Sequence, residues 1–344
     1  VLTMVTIETE SWLYDGQAPF LTRPLLIGQF SAHADFTITP DDSNLRRITH
    51  IDEKFKPFNL SPGFNKHTMK DPKMYSNDTR QLQEWAISER KYFENYYYLF
   101  REAEIVCSRG VLTNIARTPF YAKEPWRIVA TRQDGIIYLH DCGAIDGRAY
   151  VLRDTWDAQL TYWGHHFPRL MTVDKYGRKH VAGEEVDCRE TYNGVFRSDL
   201  ILPDLNRVKL TYSADIIAED KHGHFVGFKT HPAHNFENDK WLKRSWYWWI
   251  QSHLVGMNKI VVGFKSDKGV IQKIVTVERT LLKHHTEKRC DMAVKFLATV
   301  LKEVKEQCKD TVQIRYCSKS GKVHFEKATS DTDFLLPEFL NYNS

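Results

Sequence analysis

Residues 208–263 constrain this chain more than any other stretch, because they place two strands, a helix and a third strand in close succession. Residues 208–218 (VKLTYSADIIA) are rich in β-branched and aromatic side chains. Residues 221–224 (KHGH) are a polar turn around Gly223, and residues 225–230 (FVGFKT) resume the apolar alternation. Strand formers on both sides of a glycine-bearing turn predict a β-hairpin. In residues 241–254, Trp241, Ser245, Trp248, Trp249 and Ser252 recur at three- and four-residue spacing, the period of a helix. Residues 259–264 (KIVVGF) form a nearly unbroken apolar run, which predicts a strand covered on both faces.

Strand, turn, strand, helix, strand is the core order of a large class of metal-dependent nucleases. They carry one carboxylate on the first strand and an acid-x-lysine triplet on the second. Two divalent metals need three or four carboxylates to hold them and to activate a water against a phosphodiester. Here the first strand offers Asp215. The second offers Gly227-Phe228-Lys229, which keeps the lysine and lacks the acid.

Around these residues the chain resembles the DXO family of RNA 5′-end decapping enzymes and exonucleases, whose pattern runs G-x-x-x-E, E-x-D, E-x-K and W-x-Q-S. Gly164-His165-His166-Phe167-Pro168 fits the first motif with proline in the glutamate's place. Asp215-Ile216-Ile217 fits the second, with aspartate for glutamate and isoleucine for aspartate. Gly227-Phe228-Lys229 fits the third, with glycine for glutamate, and Trp249-Ile250-Gln251-Ser252 keeps the fourth. Upstream, residues 24–31 (PLLIGQFS), Phe58-Asn59-Leu60, residues 109–113 (RGVLT) and Thr118-Pro119-Phe120 resemble further family landmarks, so the likeness covers residues 24–280. It looks like a divergent, nematode-type paralogue.

The resemblance implies an α/β fold of the DXO type: one domain over residues 1–344, with twisted mixed β-sheets flanked by helices around a central cleft. It implies Asp215, Lys229 and Gln251 as remnants of the catalytic set, and Arg109, Lys229 and Gln251 as RNA contacts. Pro168, Ile217 and Gly227 become positions that have lost a metal ligand, so no metal and no cofactor is expected. The implied partners are an RNA 5′ end and a protein such as an exonuclease, with neither DNA nor membrane. The favoured function is a pseudo-nuclease that binds RNA or scaffolds a partner. A rival is an active, Mg- or Mn-dependent decapping hydrolase or 5′–3′ exoribonuclease acting on incompletely capped or NAD-capped RNA. In that rival Asp215 is joined by Glu185, Asp187 or Glu219. A third reading is an interaction module with a filled cleft.

The residues also carry plainer readings. A buried ammonium needs an anionic partner, so Lys229 faces either a phosphate or Asp215 across the hairpin. Arg109 can clamp a phosphate bidentately or make a salt bridge, and Gln251 can touch RNA or cap a polar spot. His165 and His166 are adjacent and diverge by about 100° on a helix, which disfavours a joint metal site. The acidic run at residues 183–188 (GEEVDC) mimics E-x-D, but it lies too far upstream of Lys229 for a hairpin partner and reads as a surface segment. The basic runs Lys240/Lys243/Arg244 and Lys283/His284/His285/Lys288/Arg289 read as solvated faces, and the tryptophans as core.

Hydrophobic content of 42% supports a large core, and a net charge of +4 permits nucleic-acid binding without requiring it. Six scattered cysteines with no C-x-x-C pair fit neither zinc spacing nor a disulfide framework. That pattern, with no membrane-length apolar run, points to the cytoplasm or nucleus. Elsewhere the pattern predicts a loop over residues 60–80, a long helix over 79–107 stopped by Gly110, and a hairpin over 126–140. It also predicts a helix over 152–171 kinked at Pro168, a strand over 269–278, a helix over 283–309 and a hairpin over 313–325.

Overall fold

The computed structural model describes residues 5–49, 56–68, 79–143, 155–235, 241, 245–328 and 333–341. Its strands form an eleven-stranded sheet and a seven-stranded sheet, both with parallel and antiparallel pairings, and helices pack on them. A two-stranded pair, His67–Thr68 with Val186–Asp187, stands apart.

One segment joins the two large sheets. Strand Arg207–Ile216 lies inside the larger sheet, antiparallel to Thr191–Ile201 and parallel to Ile105–Ser108. Immediately beyond it, Ala218–Glu219 belongs to the smaller sheet, antiparallel to Phe225–Pro232 and parallel to Arg46–Ile48. The chain changes sheet at Ile217. The predicted hairpin is therefore right in its turn, which Asp220 N–H closes on the His224 carbonyl at 2.8 Å with Gly223 at φ +76°. It is wrong in its pairing, since only Ala218 and Glu219 face the second arm. The reason lies in the first arm itself. Leu210, Tyr212, Ala214 and Ile216 alternate into the main core, and burying that row on the larger sheet outweighs local closure.

Phe225–Pro232 runs parallel to Lys259–Lys265, and helix Ser245–His253 makes the crossover between them. Parallel neighbours need such a crossover. In Lys259–Lys265, Ile260, Val262 and Phe264 join the main core while Val261 joins a second cluster, so both faces are covered as predicted. Trp241, Trp246, Trp248 and Trp249 are all buried in the main core.

The hairpin predicted over 126–140 is present as Trp126–Gln133 and Ile136–Asp141, with Asp134 and Gly135 both at positive φ. Strands Val270–Glu278, Thr311–Cys317 and Lys322–Lys327 and helix Arg279–Gln307 also stand where the pattern puts them. The long helix over 79–107 does not. Arg80–Glu89 is helical, a short turn follows at Tyr96–Leu99, and Ile105–Ser108 is a fully buried strand. Arg101 and Glu102 take positive φ between them, a conformation no α-helix contains. Gly110, read as a helix stop, instead lies inside helix Arg109–Arg117.

Helix Thr155–Leu170 runs through Pro168 without a break. Proline there falls in the last turn, and its missing hydrogen bond concerns the carbonyl of Gly164, an exposed residue. Tyr162, Trp163 and Phe167 of this helix bury against Val226 and Phe228 of the smaller sheet. The acidic run at 183–188 is more than surface, because Val186 is buried in that same cluster.

Candidate functional site

The site residues gather where the chain changes sheet. Ser108 lies opposite Ser213 on parallel strands, so Arg109, the first residue of the following helix, starts within side-chain reach of Asp215. Arg109 Nη2 donates to Asp215 Oδ1 at 2.6 Å, the guanidinium largely buried and the carboxylate mostly exposed. Lys229, midway along Phe225–Pro232, donates its Nζ hydrogen to Gln251 Oε1 on the tryptophan helix at 2.9 Å. Burial and then the positive charge of Arg109 push the Lys229 pKa down to about 8, against a smaller upward pull from Asp215. Arg109, Asp215, Lys229 and Gln251 thus form one group. Its pairing differs from the plain sequence reading: Asp215 is bonded to Arg109, and Lys229 to Gln251.

Residues alternate along a strand. Val226 and Phe228 point toward helix Thr155–Leu170, so Gly227 and Lys229 share the opposite face. A Cβ built on Gly227 would lie 3.3 Å from Ile260 Cγ1 and 3.4 Å from Met257 Sδ, so this site is packed by apolar neighbours. Strand alternation would put Ile217 on the side of Asp215. At the change of sheet that alternation fails: Asp215 is exposed, while Ile217 packs toward the cluster of Trp163, Phe167 and Ala218. Pro168 is buried, and its carbonyl accepts from Thr172 Oγ1 at 2.7 Å.

Hard divalent cations take several oxygen ligands. Around Asp215 the positions the resemblance assigns to further ligands are Pro168, Ile217 and Gly227, none with a side-chain oxygen. Glu219 is bonded to Arg47 at 3.2 Å, Asp187 to Arg189 at 2.6 Å, and Glu185 lines a separate cavity. Among the described residues no group of three or more histidine, cysteine, aspartate or glutamate side chains is placed to hold a metal. The donor set does not fit a divalent ion, and its one carboxylate already has a guanidinium partner.

His165 and His166 diverge as expected. His165 Nδ1 lies 2.8 Å from Cys188 Sγ, while His166 is fully buried with Nδ1 2.8 Å from the Leu60 carbonyl. In the second basic run, Lys288 is bonded to Asp15 at 2.7 Å and Lys283 to Asp291 at 3.2 Å. Lys240, Lys243 and Arg244 lie outside the described residues. Sequence reasoning missed the polar cavity at Arg46, Arg169 and His180, whose walls come from segments far apart in the chain.

A strand that carries Asp215, a change of sheet, a strand that carries Lys229 and a crossover helix that supplies Gln251 follow the chain order of PD-(D/E)XK nucleases. The chain belongs to the family of RAI1-like PD-(D/E)XK nucleases, whose model matches residues 22–340. It is 27% identical to the decapping nuclease dom-3 of Caenorhabditis elegans, over 98% of this chain and 89% of that protein. It is 28% identical to the human decapping and exoribonuclease protein, over 79% of this chain and 70% of that one. The crystal structure of Candida albicans Rai1 in complex with pU5-Mn2+ superposes with a TM-score of 0.77 at 17% identity, over 98% of this chain and 99% of that one. That likeness shows the shared mixed α/β fold.

Proposed function

We propose that this protein is a non-catalytic member of the family, and that its cleft holds the 5′-terminal phosphate of RNA directly, without a metal. One observation carries the reading: two cations, Arg109 and Lys229, stand against one carboxylate, Asp215. Several clustered carboxylates favour a divalent cation, whereas an excess of ammonium and guanidinium favours an anion. Replacing the family's acids with Pro168, Ile217 and Gly227 therefore reverses the sign of the site. Gln251, bonded to the Lys229 ammonium, holds that side chain in place and leaves its remaining N–H groups for phosphate oxygens.

RNA as the ligand is supported by the family and by the pU5 in the Candida albicans Rai1 complex. The test is binding of a 5′-phosphorylated oligoribonucleotide in EDTA, alongside a turnover assay in manganese. Metal-independent binding that Arg109→Gln and Lys229→Met weaken, with no product formed, is expected. Robust manganese-dependent hydrolysis by the unaltered protein would sink the reading.

A further inference from the structure

The end of the larger sheet that holds Asp215 also holds two arginines, on the same face and in the same row. Ser213 lies opposite Ser108, Val106 opposite Tyr138, His140 opposite Val129, and Val129 opposite Gln313. Ser213, Ser108, His140, Val129 and Gln313 therefore stand level across five strands. Two residues further out, the next row holds Asp215, Cys142, Arg127 and Arg315. Cys142 N–H bonds the Arg127 carbonyl at 2.9 Å, and Arg127 pairs in register with Arg315. Alternation puts this row on the face of the cluster of Phe100, Val106 and Tyr138. Thr211, on the strand of Asp215, bonds the Phe100 carbonyl at 2.8 Å, and the His140 ring stacks on Phe334 of that cluster at 4.9 Å.

The two arginines differ in their partners. Arg315 Nη2 donates to Glu326 Oε1 at 2.8 Å. Arg127 has no carboxylate within salt-bridge distance among the described residues, and its inner Nε is buried without a hydrogen bond. The residue as a whole is half-buried, which leaves its outer nitrogens to an incoming anion. Asp141, the next acid along, turns to the other face, where Asn114 Nδ2 bonds it at 2.8 Å. Like charges directly opposite each other on paired strands repel, and here Glu326 is already committed to Arg315. From the cleft to this point, Arg109, Lys229, Arg127 and Arg315 stand against Asp215 and Glu326. Three strand spacings separate Asp215 from Arg127, about 14 Å, which roughly four stacked nucleotides span.

We propose that an RNA strand held by its 5′ phosphate in the cleft runs across this end of the larger sheet and sets an internal phosphate on Arg127, with Arg315 beside it. A guanidinium takes two phosphate oxygens at once, and the uncommitted one is Arg127. This path rests on the RNA reading of the cleft and extends it away from the terminal nucleotide.

The test compares uridine 5′-monophosphate with a 5′-phosphorylated uridine octanucleotide, by calorimetry and anisotropy in EDTA. The octamer should bind the unaltered protein more tightly than the mononucleotide. Arg127→Gln should bind the octamer about tenfold more weakly and keep its affinity for the mononucleotide. Its salt slope should be shallower by ~0.7 for the one lost single-strand phosphate contact. Octamers each carrying one neutral methylphosphonate linkage need no variant, and one linkage about four nucleotides from the 5′ end should cost affinity. If Arg127→Gln does not fold, that series decides alone. An octamer no tighter than the mononucleotide, an unchanged octamer affinity in Arg127→Gln, or a linkage series with no costly position overturns the path. A polyglutamate peptide that displaces the octamer as well as unlabelled octamer does overturns RNA as the occupant. A mononucleotide that fails to bind, with octamer binding still dependent on Arg127, overturns the terminal-phosphate reading and leaves the Arg127 site standing.

Discussion

Asp215→Asn separates a phosphate receptor from a metal-dependent nuclease by the sign of its effect. In a nuclease, removing the last acidic ligand weakens binding of metal and of the substrate bridged by it. In the site described here, Asp215 is the only negative charge in the group and opposes an incoming phosphate. A phosphate seated on Arg109 would lie ~6 Å from the carboxylate. Mostly exposed, that pair interacts at an effective dielectric of ~40–80, so the repulsion is about 0.7–1.4 kcal/mol. Asparagine keeps an oxygen for Arg109 to donate to at 2.6 Å, so the guanidinium stays positioned. One effect runs the other way: Asp215 holds the Lys229 pKa up, and without it less of the lysine is protonated at neutral pH. Measured at pH 6.5 in EDTA, where the ammonium form dominates, affinity for a 5′-phosphorylated oligoribonucleotide should rise about three- to tenfold. Anisotropy titrations of both proteins read this directly. A fall in affinity, or binding that appears only with manganese, would refute the charge reversal.

Binding should also weaken as pH rises through about 8, because only the protonated form of Lys229 attracts phosphate and its pKa lies below the usual lysine value; Lys229→Met should flatten that part of the profile. Calorimetric titration of the unaltered protein with manganese should show no tight stoichiometric site. Pro168→Glu/Ile217→Asp/Gly227→Glu should bind manganese no better than the unaltered protein in calorimetry, because Ile217 packs toward Trp163 and Phe167 rather than beside Asp215, and tight stoichiometric binding by the variant would refute that placement. Gly269→Ala should destabilise the fold by ~2–4 kcal/mol in a denaturant melt, because φ is +76° there and a Cβ would fall 2.4 Å from Trp163 Cε2.

The sequence was most legible where local chemistry and burial agree. The Asp134-Gly135 turn, the tryptophan helix and the run at residues 259–264 each combine a strong local signal with a core that uses it. The arm at residues 208–218 shows the limit. Its alternation identifies a strand, but period-two patterning does not say which sheet takes it, and Leu210, Tyr212 and Ile216 find a larger apolar face away from the turn. The helix predicted over 79–107 fails similarly: an aromatic stripe marks buried residues, and Ile105, Val106 and Cys107 are buried as a central strand instead.

The site's members were legible because each belongs to a short motif. Their pairing was not, since it depends on a register that sequence does not carry. Strand Ile105–Ser108 stops opposite Ser213 while its parallel neighbour runs on past Asp215, which lets Arg109 reach Asp215 and leaves Lys229 to Gln251. This placement decides which of the two cations keeps its unmet charge. Had Lys229 taken Asp215, the charges would have cancelled and Arg109 would have stood free at the rim. With the carboxylate instead bonded to the guanidinium, the ammonium is held by a neutral amide in a partly buried setting. Burial lowers its pKa because its own charge lacks a full counter-charge, and an arriving phosphate supplies one.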